Sequence, residues 1–543
     1  MFCYDFQNKT EKGSTIKPFT QTRLIIIVSL FFVLVDNYTF FKNVLKVYPF
    51  AENAGFVLSL AVVLFAVTVL FFTLFSSRWT TKPLLIVALL VSSLTNYFMN
   101  TYHVIIDDSM IRNAIQTNFS ESSDLLTFKL VLYFIFLGLL PAYWVYRTKV
   151  VYRSWKTELW AKTKTILLTL LIITASLFTY SKYYTSFFRE HKPLRFSINP
   201  LYWIFSSGKY VYLTYNSGPV VLKPIGTDAT IPEHKGPHKL VIMVVGEAAR
   251  ADHFSLNGYP KETNPKLKEK NIIDLSNTYS CGTATAESVP CMFSVYPRSE
   301  YTYKKGISTE NVLDVLKHTG KVAMLWRDNN SDSKGVALRI PYENYKTPAH
   351  NTICTDGECR DVGMLVGLDT FIAKHPDKDI LIVLHQMGNH GPAYYKRYPK
   401  AYEKFTPACK TNQLESCSRE AIINAYDNAL RYTDTFLAKT IDFLKKYDNQ
   451  YQTAMLYMSD HGESLGENGI YLHGLPYFMA PDAQKHIGAL FWFGPSLEKN
   501  TGVQSLKKHK DARYSQDNLF HTLLGLFKVR TKVYDKKLDM LGQ

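Results

Sequence analysis

The chain has 543 residues, with 62 Lys or Arg against 46 Asp or Glu, for a formal charge of +16. At 47% apolar and 20% charged it is neither disordered nor collagen-like, and it is too long for a single core. Composition changes sharply near residue 185, strongly apolar before and ordinary globular after; no basic tract of the kind that follows a phosphate backbone occurs, so the charge does not point to nucleic acid.

A bilayer core of ~30 Å takes about 20 apolar residues as helix. Five segments fit, at about 24–41 (interrupted by Asp36), 53–77, 83–106, 130–146 and 165–181. Basic residues sort their flanks. One side carries Lys9, Lys12, Lys17, Arg23, Arg78, Lys82, Arg147, Lys149, Arg153, Lys156, Lys162 and Lys164; the other carries only Lys42, Lys46, Arg112, Lys129 and Lys182. The richer side is expected to be cytoplasmic. Five crossings then place everything after Tyr183 outside. The first segment lacks a small-x-small cleavage site and four spans follow, so an uncleaved helix is expected.

The seven cysteines agree with that topology. Cys3 falls alone on the inner side, and Cys281, Cys291, Cys354, Cys359, Cys409 and Cys417 form three close pairs outside. None has C-x-x-C spacing, which favours disulfides in an oxidising compartment over a zinc ribbon. Pairing between neighbours is favoured by the short loops, but spacing leaves the connectivity open.

The stretch 186–237 is rich in Pro, Gly, Tyr and Lys and reads as a linker. Its aromatics, Tyr202, Trp203, Phe205, Tyr210 and Tyr212, suit either a headgroup zone or a packed loop. From Lys239 on, short apolar runs (Leu240–Val245, Val322–Leu325, Ile380–Leu384, Ala454–Met458, Ala489–Phe493) alternate with helical patterns (Asn311–His318, Asp361–Ala373, 419–446). That alternation predicts a mostly parallel sheet covered on both faces, with ligands at the carboxyl ends of its strands. Three of those ends deliver Glu247, then His385 and His390, then Asp460 and His461. Each alone is an ordinary cap or loop residue. Together they supply the carboxylate and imidazole donors that suit Zn²⁺. The segment 280–286 (SCGTATA) offers a hydroxyl before a helix start. Thr283 or Thr285 there is either a helix cap or a nucleophile toward phosphorus, and the local residues do not choose.

Six long stretches resemble the lipid A phosphoethanolamine transferases, the group that includes the mobile colistin-resistance enzymes: VVGEAARADHFSLNGY, SCGTATAESVPCMFS, WRDNNSDSKG, LHQMGNHGPAYYKRYP, NAYDNALRYTDTF and SDHGESLGENGIYLHGLP. IDDSMIRNAIQTNFSE extends the resemblance into the membrane half. The resemblance implies a five-helix transmembrane bundle (1–185), a linker with interfacial elements (186–237), and an α/β alkaline-phosphatase/sulfatase-like domain (238–543). It implies a zinc site of Glu247, Thr285, Asp460 and His461, with Thr285 as the nucleophile. Lys334, His385, His390 and His473 then lie near the phosphate or hold a second metal, and Asn329 contacts substrate. Asn113, Thr117 and Glu121 match headgroup-binding positions. The implied disulfides are Cys281–Cys291, Cys354–Cys359 and Cys409–Cys417. Two positions depart from the family pattern: Ala248 stands where many relatives have a hydroxyl, and Glu287 where an apolar or aromatic residue is common.

The implied reaction transfers phosphoethanolamine from phosphatidylethanolamine to a lipid A phosphate. The enzyme is expected to be a monomer in the bacterial inner membrane with a periplasmic catalytic domain and one tightly bound Zn²⁺. Alternatives are transfer to a core sugar, hydrolysis of the intermediate, and a non-catalytic membrane receptor.

Overall fold

The computed structural model describes residues 19–117, 119–215, 221–233 and 236–542, with backbone alone at 119–121. Cys3, Lys9, Lys12, Lys17 and the side chain of Glu121 lie outside the described residues. The chain packs as two compact units, Met1–Asn100 with Lys129–Trp203, and Thr101–Phe128 with Ile204–Gln543.

Long apolar runs set the helices of the first unit. α1 (Gln21–Asp36) and α2 (Tyr38–Val47) meet at a bend of 57° and are followed by α3 (Phe50–Phe75) and α4 (Thr81–Thr101). After α5 (Asp108–Gln116), which belongs to the second unit, come α6 (Phe128–Arg147) and α7 (Trp155–Thr179). Four of these are long and apolar enough to cross a membrane, and the bent pair makes five.

Three spans differ from their expected limits. The first is broken at Asn37, because that side chain replaces helix partners. Its Nδ2 donates to the carbonyls of Phe32 (2.9 Å) and Asn199 (2.5 Å), and its Oδ1 accepts from Asn199 N at 3.0 Å. Asp36, just before the break, accepts from Asn96 Nδ2 at 3.0 Å, which satisfies a carboxyl oxygen buried among apolar helices. The third stops at Thr101 instead of 106. The last starts at Trp155 instead of 165: the Lys, Thr and Glu residues of its first turns sustain a helix without the apolarity that marks a span.

The stretch expected as a linker carries helix in its first part, at Ser181–Arg189 and Leu201–Tyr215. The five aromatics therefore share one helix.

In the second unit the main sheet has seven strands: β1 (Lys239–Gly246), β2 (Ile272–Asp274), β3 (Val322–Asp328), β4 (Tyr342–Asn344), β5 (Asp379–His385), β6 (Gln452–Ser459) and β7 (Ala489–Phe493). Their order is β2-β7-β6-β1-β5-β3-β4. β6, β1, β5, β3 and β4 are mutually parallel; β7 runs antiparallel to both its neighbours, so edge strand β2 runs in the same direction as the other five. The short edge strands β2 and β4 escape a hydropathy reading because neither is a continuous apolar run.

Every residue of β1 is buried. Alternate side chains enter two cores, Val241, Met243 and Val245 on one face, Leu240, Ile242 and Val244 on the other. Each such side chain contributes about 1.5–3 kcal/mol on burial, which explains a run without alternation. α9 (Arg419–Lys445), capped by the Ser418 hydroxyl accepting from Ala421 N, covers the second face. The expected helix at 361–373 is instead a short 3-10 turn, Asp361–Leu365, and a helix, Leu368–Ala373. They are separated at Gly367, whose φ of +75° no helix tolerates.

Register positions the site. Gly246 pairs with Ser459, Val245 with His385, and His385 with Asp328. Four parallel strands thus end in line, and the residues that follow them leave the sheet side by side.

Candidate active site

Glu247 follows β1, and Asp460 and His461 follow β6. All three are fully buried, and one ligand atom from each lies within 4.8 Å of the others. α8 (Thr285–Met292) starts beside them. Thr285 Oγ1 donates to Glu247 Oε2 at 3.2 Å and lies 3.4 Å from His461 Nε2. The structure therefore brings Thr285, not Thr283, to the carboxylates; the Thr283 hydroxyl donates to the Leu475 carbonyl at 2.6 Å.

The donor set fits a divalent cation. His461 Nδ1 lies 2.8 Å from the Gly462 carbonyl, which can only accept, so Nδ1 carries the proton and Nε2 presents its lone pair. That lone pair faces Glu247 Oε1 at 3.3 Å and Asp460 Oδ2 at 3.4 Å. Burial pushes the ring's pKa down to about 4 and keeps it neutral. Asp460 Oδ2 is buried with no hydrogen-bond donor among the described residues, while Oδ1 accepts from Ala248 N (3.2 Å) and His461 N (2.7 Å). Two carboxylates and an imidazole lone pair pointed at one another repel unless a cation lies between them. Two oxygen donors, one nitrogen and a hydroxyl match a four-coordinate Zn²⁺ site.

Two of the three remaining histidines join this cluster. The His473 ring centroid is 4.1 Å from that of His461 and 5.9 Å from that of His390. His473 Nδ1 pairs with the buried Glu463 Oε2 at 3.0 Å. The arrangement fixes the ring, while burial drives the Glu463 carboxyl up. Burial, with Arg397 and the neighbouring imidazoles adding to it, holds His390 well below the usual histidine range. His385 Nδ1 meets Asp328 Oδ2 at 2.9 Å, its ring packs on Trp326, and its Nε2 is buried with no hydrogen-bond partner among the described residues. Burial opposes ionisation of Asp328, but His385 and the Trp326 N–H outweigh it and lower its pKa.

The loop after β3 carries Lys334, whose backbone is left-handed at φ +51° and whose Nζ donates to the Ser331 carbonyl at 2.8 Å. Asn329 donates to the Cys359 carbonyl (2.9 Å) and Asp361 Oδ1 (2.7 Å). Its neighbour Asn330, absent from the sequence-based set, donates to Glu247 Oε2 at 2.8 Å and to the Gln386 carbonyl at 2.9 Å. Asp361, also missed, accepts from the backbone of Met387 (2.8 Å) and Gly388 (3.1 Å), which sets the turn that leads to His390. Two adjacent asparagines are indistinguishable in sequence; only their φ/ψ decides which one turns inward.

Ala248 occupies a left-handed conformation at φ +53°, buried, with its carbonyl accepting from Tyr426 Oη at 2.7 Å. A non-glycine residue pays roughly 1 kcal/mol or more for that geometry. The turn is what directs Glu247 and the Ala248 N–H toward Asp460.

Asn113 and Thr117 lie on and just after α5, where the Thr117 hydroxyl donates to the Asn113 carbonyl at 2.6 Å. α5 packs against α8, the helix that Thr285 opens. The segment is anchored to the same unit through Asp124, which is buried and pairs with Arg397 at 2.6 Å and Lys396 at 2.5 Å. Arg397 Nε in turn donates to the His390 carbonyl at 2.8 Å. Cys281–Cys291, Cys354–Cys359 and Cys409–Cys417 are disulfide-bonded, as the resemblance implied.

Comparison with known proteins extends this geometry. The Sulfatase family model matches residues 239–529, and the model described as Phosphoethanolamine transferase EptA/EptB matches residues 64–215. The chain is 45% identical to the phosphatidylethanolamine transferase Mcr-1 of Escherichia coli over 536 residues, 96% of this chain and 97% of that one. It is 40% identical to the phosphoethanolamine transferase EptA of Escherichia coli K12, over 95% and 96% of the two chains. Its fold matches the integral membrane lipooligosaccharide phosphoethanolamine transferase A from Neisseria meningitidis with a TM-score of 0.91 at 35% identity, covering 96% and 98% of the two chains.

Proposed function

Because the chain belongs to the phosphoethanolamine transferase family, we propose that it moves phosphoethanolamine from phosphatidylethanolamine to a phosphate of lipid A through a covalent intermediate on Thr285. The observation that carries this reading is the Thr285 hydroxyl, held at the start of α8 between Glu247 and His461.

In the first half-reaction Thr285 Oγ1 attacks phosphorus. The bond to diacylglycerol oxygen breaks, and that oxygen takes up a proton as diacylglycerol leaves. Glu247 accepts the Thr285 hydroxyl hydrogen bond and marks where the proton goes. In the second half-reaction an oxygen of the lipid A phosphate attacks the same phosphorus, the bond to Thr285 breaks, and the hydroxyl is restored. Free N–H groups of the first turn of α8 receive phosphate oxygens, and Lys334 adds a positive charge. His473, fixed by Glu463, and His390, kept neutral by burial, are placed to pass protons to and from the leaving and entering oxygens. Bound Zn²⁺, held by Glu247, Asp460, His461 and Thr285, would favour the alkoxide and offset charge on phosphorus; a second ion near His390 and His473 fits the same donor chemistry. Asn113, Thr117 and Glu121 receive the ethanolammonium. His385 acts through Asp328 to hold the strand end, and Asn329 acts through Asp361.

We place the N-terminus in the cytoplasm and the catalytic unit in the periplasm of a bacterial inner-membrane monomer. Residues 1–185 are its membrane domain, with 101–128 on the catalytic side, followed by the 186–237 connection and the 238–543 catalytic domain. Adding ethanolamine sets a cation beside a lipid A phosphate, which weakens binding of polymyxins such as colistin.

Expression of the parent chain and Thr285→Ala in a susceptible Gram-negative host, followed by mass spectrometry of lipid A, tests the proposal. The expected result is a phosphoethanolamine adduct with the parent only. No adduct from well-expressed parent removes lipid A as the acceptor and turns the search to core sugars or hydrolysis. An adduct from both chains removes Thr285 as the nucleophile.

A further inference from the structure

The turn before helix α10 (Asp517–Leu526) carries a side chain that no motif singles out and the mechanism above does not use. Gln516 is fully buried. Its backbone is fixed to the segment that leads to the nucleophile. Tyr514 and Ser515 pair in parallel with Thr278 and Tyr279, and Gln516 N donates to the Tyr279 carbonyl at 3.0 Å. Its amide then divides between two pieces of the site. Oε1 accepts from Cys281 N at 2.7 Å and lies 2.7 Å from the Ser288 hydroxyl. Nε2 donates to the carbonyls of Ser459 and Asp460, both at 2.8 Å. A backbone N–H only donates and a carbonyl only accepts, so the amide has one orientation: both protons face the end of β6, and the oxygen faces the nucleophile segment.

Those partners bracket the chemistry. Thr285 lies between Cys281 and Ser288, and the Cys281–Cys291 disulfide closes the same loop onto α8. The Ser288 hydroxyl, one turn after Thr285, shares its proton between Gln516 Oε1 and the Asp460 carbonyl at 2.5 Å. The end of β6 is held without Gln516, because Ser459 pairs with Gly246 in the sheet and Asp460 N donates to the Gly246 carbonyl at 2.9 Å. The nucleophile segment lies outside that sheet. Thr283 and Ser280 N bond to the carbonyls of Leu475 and Lys485, which belong to other loops. Val289 and Met292 pack α8 on the core, but apolar contact is non-directional. The directional ties from this segment to the end of β6 run through Gln516 and Ser288. Their accuracy matters, since misplacing a reacting group by about 1 Å costs about 100-fold in rate.

We propose that Gln516 is a positioning residue for the transfer reaction, holding the Thr285 hydroxyl in register with Glu247, Asp460 and His461. The assignment rests on the reading of Thr285 as the nucleophile and a zinc-bound oxygen.

A zinc-binding cycle tests it. Purified full-length protein in detergent micelles is titrated with Zn²⁺ against a chelator, with Thr285 or Thr285→Ala and with Gln516 or Gln516→Met. Gln516→Met keeps the length of the side chain and removes the amide. It is expected to raise the zinc Kd about tenfold in the Thr285 background, and by less than about twofold after Thr285→Ala, because the oxygen it holds is then gone. Gln516→Glu keeps the acceptor for Cys281 N and carries the same comparison if the Met variant does not fold. At saturating zinc, release of diacylglycerol from phosphatidylethanolamine should lose about tenfold or more in kcat, with KM within about twofold. An equal rise in zinc Kd in both backgrounds overturns the proposal, since it makes Gln516 a support of the fold alone. So does an unchanged Kd with Thr285 present, or a Thr285→Ala chain that binds zinc as tightly as the parent. A raised KM at full kcat overturns it too. Mass spectrometry of lipid A from cells expressing the parent decides the reaction separately. A parent that does not transfer, but shows the expected zinc cycle, refutes the reaction and leaves the tie between Gln516 and Thr285 standing.

Discussion

Removing the Asn330 amide perturbs Glu247 without touching any proposed ligand. Asn330 Nδ2 donates to Glu247 Oε2 at 2.8 Å and to the Gln386 carbonyl at 2.9 Å, and the residue is fully buried. Asn330→Ala therefore deletes one hydrogen bond to a carboxylate, worth about 1.5–3 kcal/mol, one to a neutral carbonyl, worth about 1 kcal/mol, and the Oδ1 acceptor of Ser331 N at 2.6 Å. Part of that loss falls on the fold. The rest falls on the carboxylate, which keeps the Thr285 hydroxyl but loses the amide that orients it toward Asp460 and His461. Outer partners of metal ligands typically change affinity 10–100-fold, so the Kd for Zn²⁺ should rise by about that factor. The check is a competition titration of the purified protein against a chromogenic chelator, run beside Asn329→Ala. That control amide contacts Asp361 and the Cys359 carbonyl instead of Glu247, and should leave zinc affinity near the parent value. The reasoning is refuted if Asn330→Ala binds zinc as tightly as the parent, or if Asn329→Ala weakens it more.

Two further outcomes concern stability. Asp434 accepts from the backbone of Leu267 (2.9 Å) and Lys266 (3.1 Å), yet burial raises its pKa from 3.8 to about 6. An acid whose folded pKa lies above its unfolded value contributes stability that is complete below about pH 3.8 and lost as the pH rises through about 6. Asp434→Asn removes the buried charge but keeps an acceptor for only one of the two N–H groups, so thermal melting should show the parent losing up to about 3 kcal/mol relative to the variant as the pH rises from about 4 to 7.5; a difference that does not depend on pH would reject burial of the charge as the cause. Asp124→Ala removes the 2.6 Å pair with Arg397, which keeps its 2.9 Å pair with Glu358, at a cost of about 1.5–3 kcal/mol. Limited proteolysis should then cut within 101–128 sooner than in the parent, and equal cutting rates would mean that Asp124 does not anchor the segment.

The sequence by itself determined whatever depends on local hydropathy and on long, specific motifs. Apolar runs between residues 24 and 181 announced the membrane helices because the bilayer thickness dictates their length. The unalternating run Leu240–Val245 announced a strand covered on both faces. The pattern Asn311–His318 announced a helix, which the structure has at Val312–His318. Glu247, Asp460 and His461 stood out because each follows a strand, and parallel strands of equal phase end together. Tertiary structure decided the rest. Asn330 rather than Asn329 supports Glu247 because the backbone after β3 turns one amide inward and its neighbour outward. Thr285 rather than Thr283 meets the carboxylates because α8 begins there. Arg112, which in sequence only counts toward the topology, becomes a buried cation because α5 packs on the nucleophile helix. The break at Asn37 rests on Asn199, 162 residues away. Hydropathy and spacing report what a residue does within a few turns of chain, whereas each of these outcomes depends on which distant group the fold sets beside it.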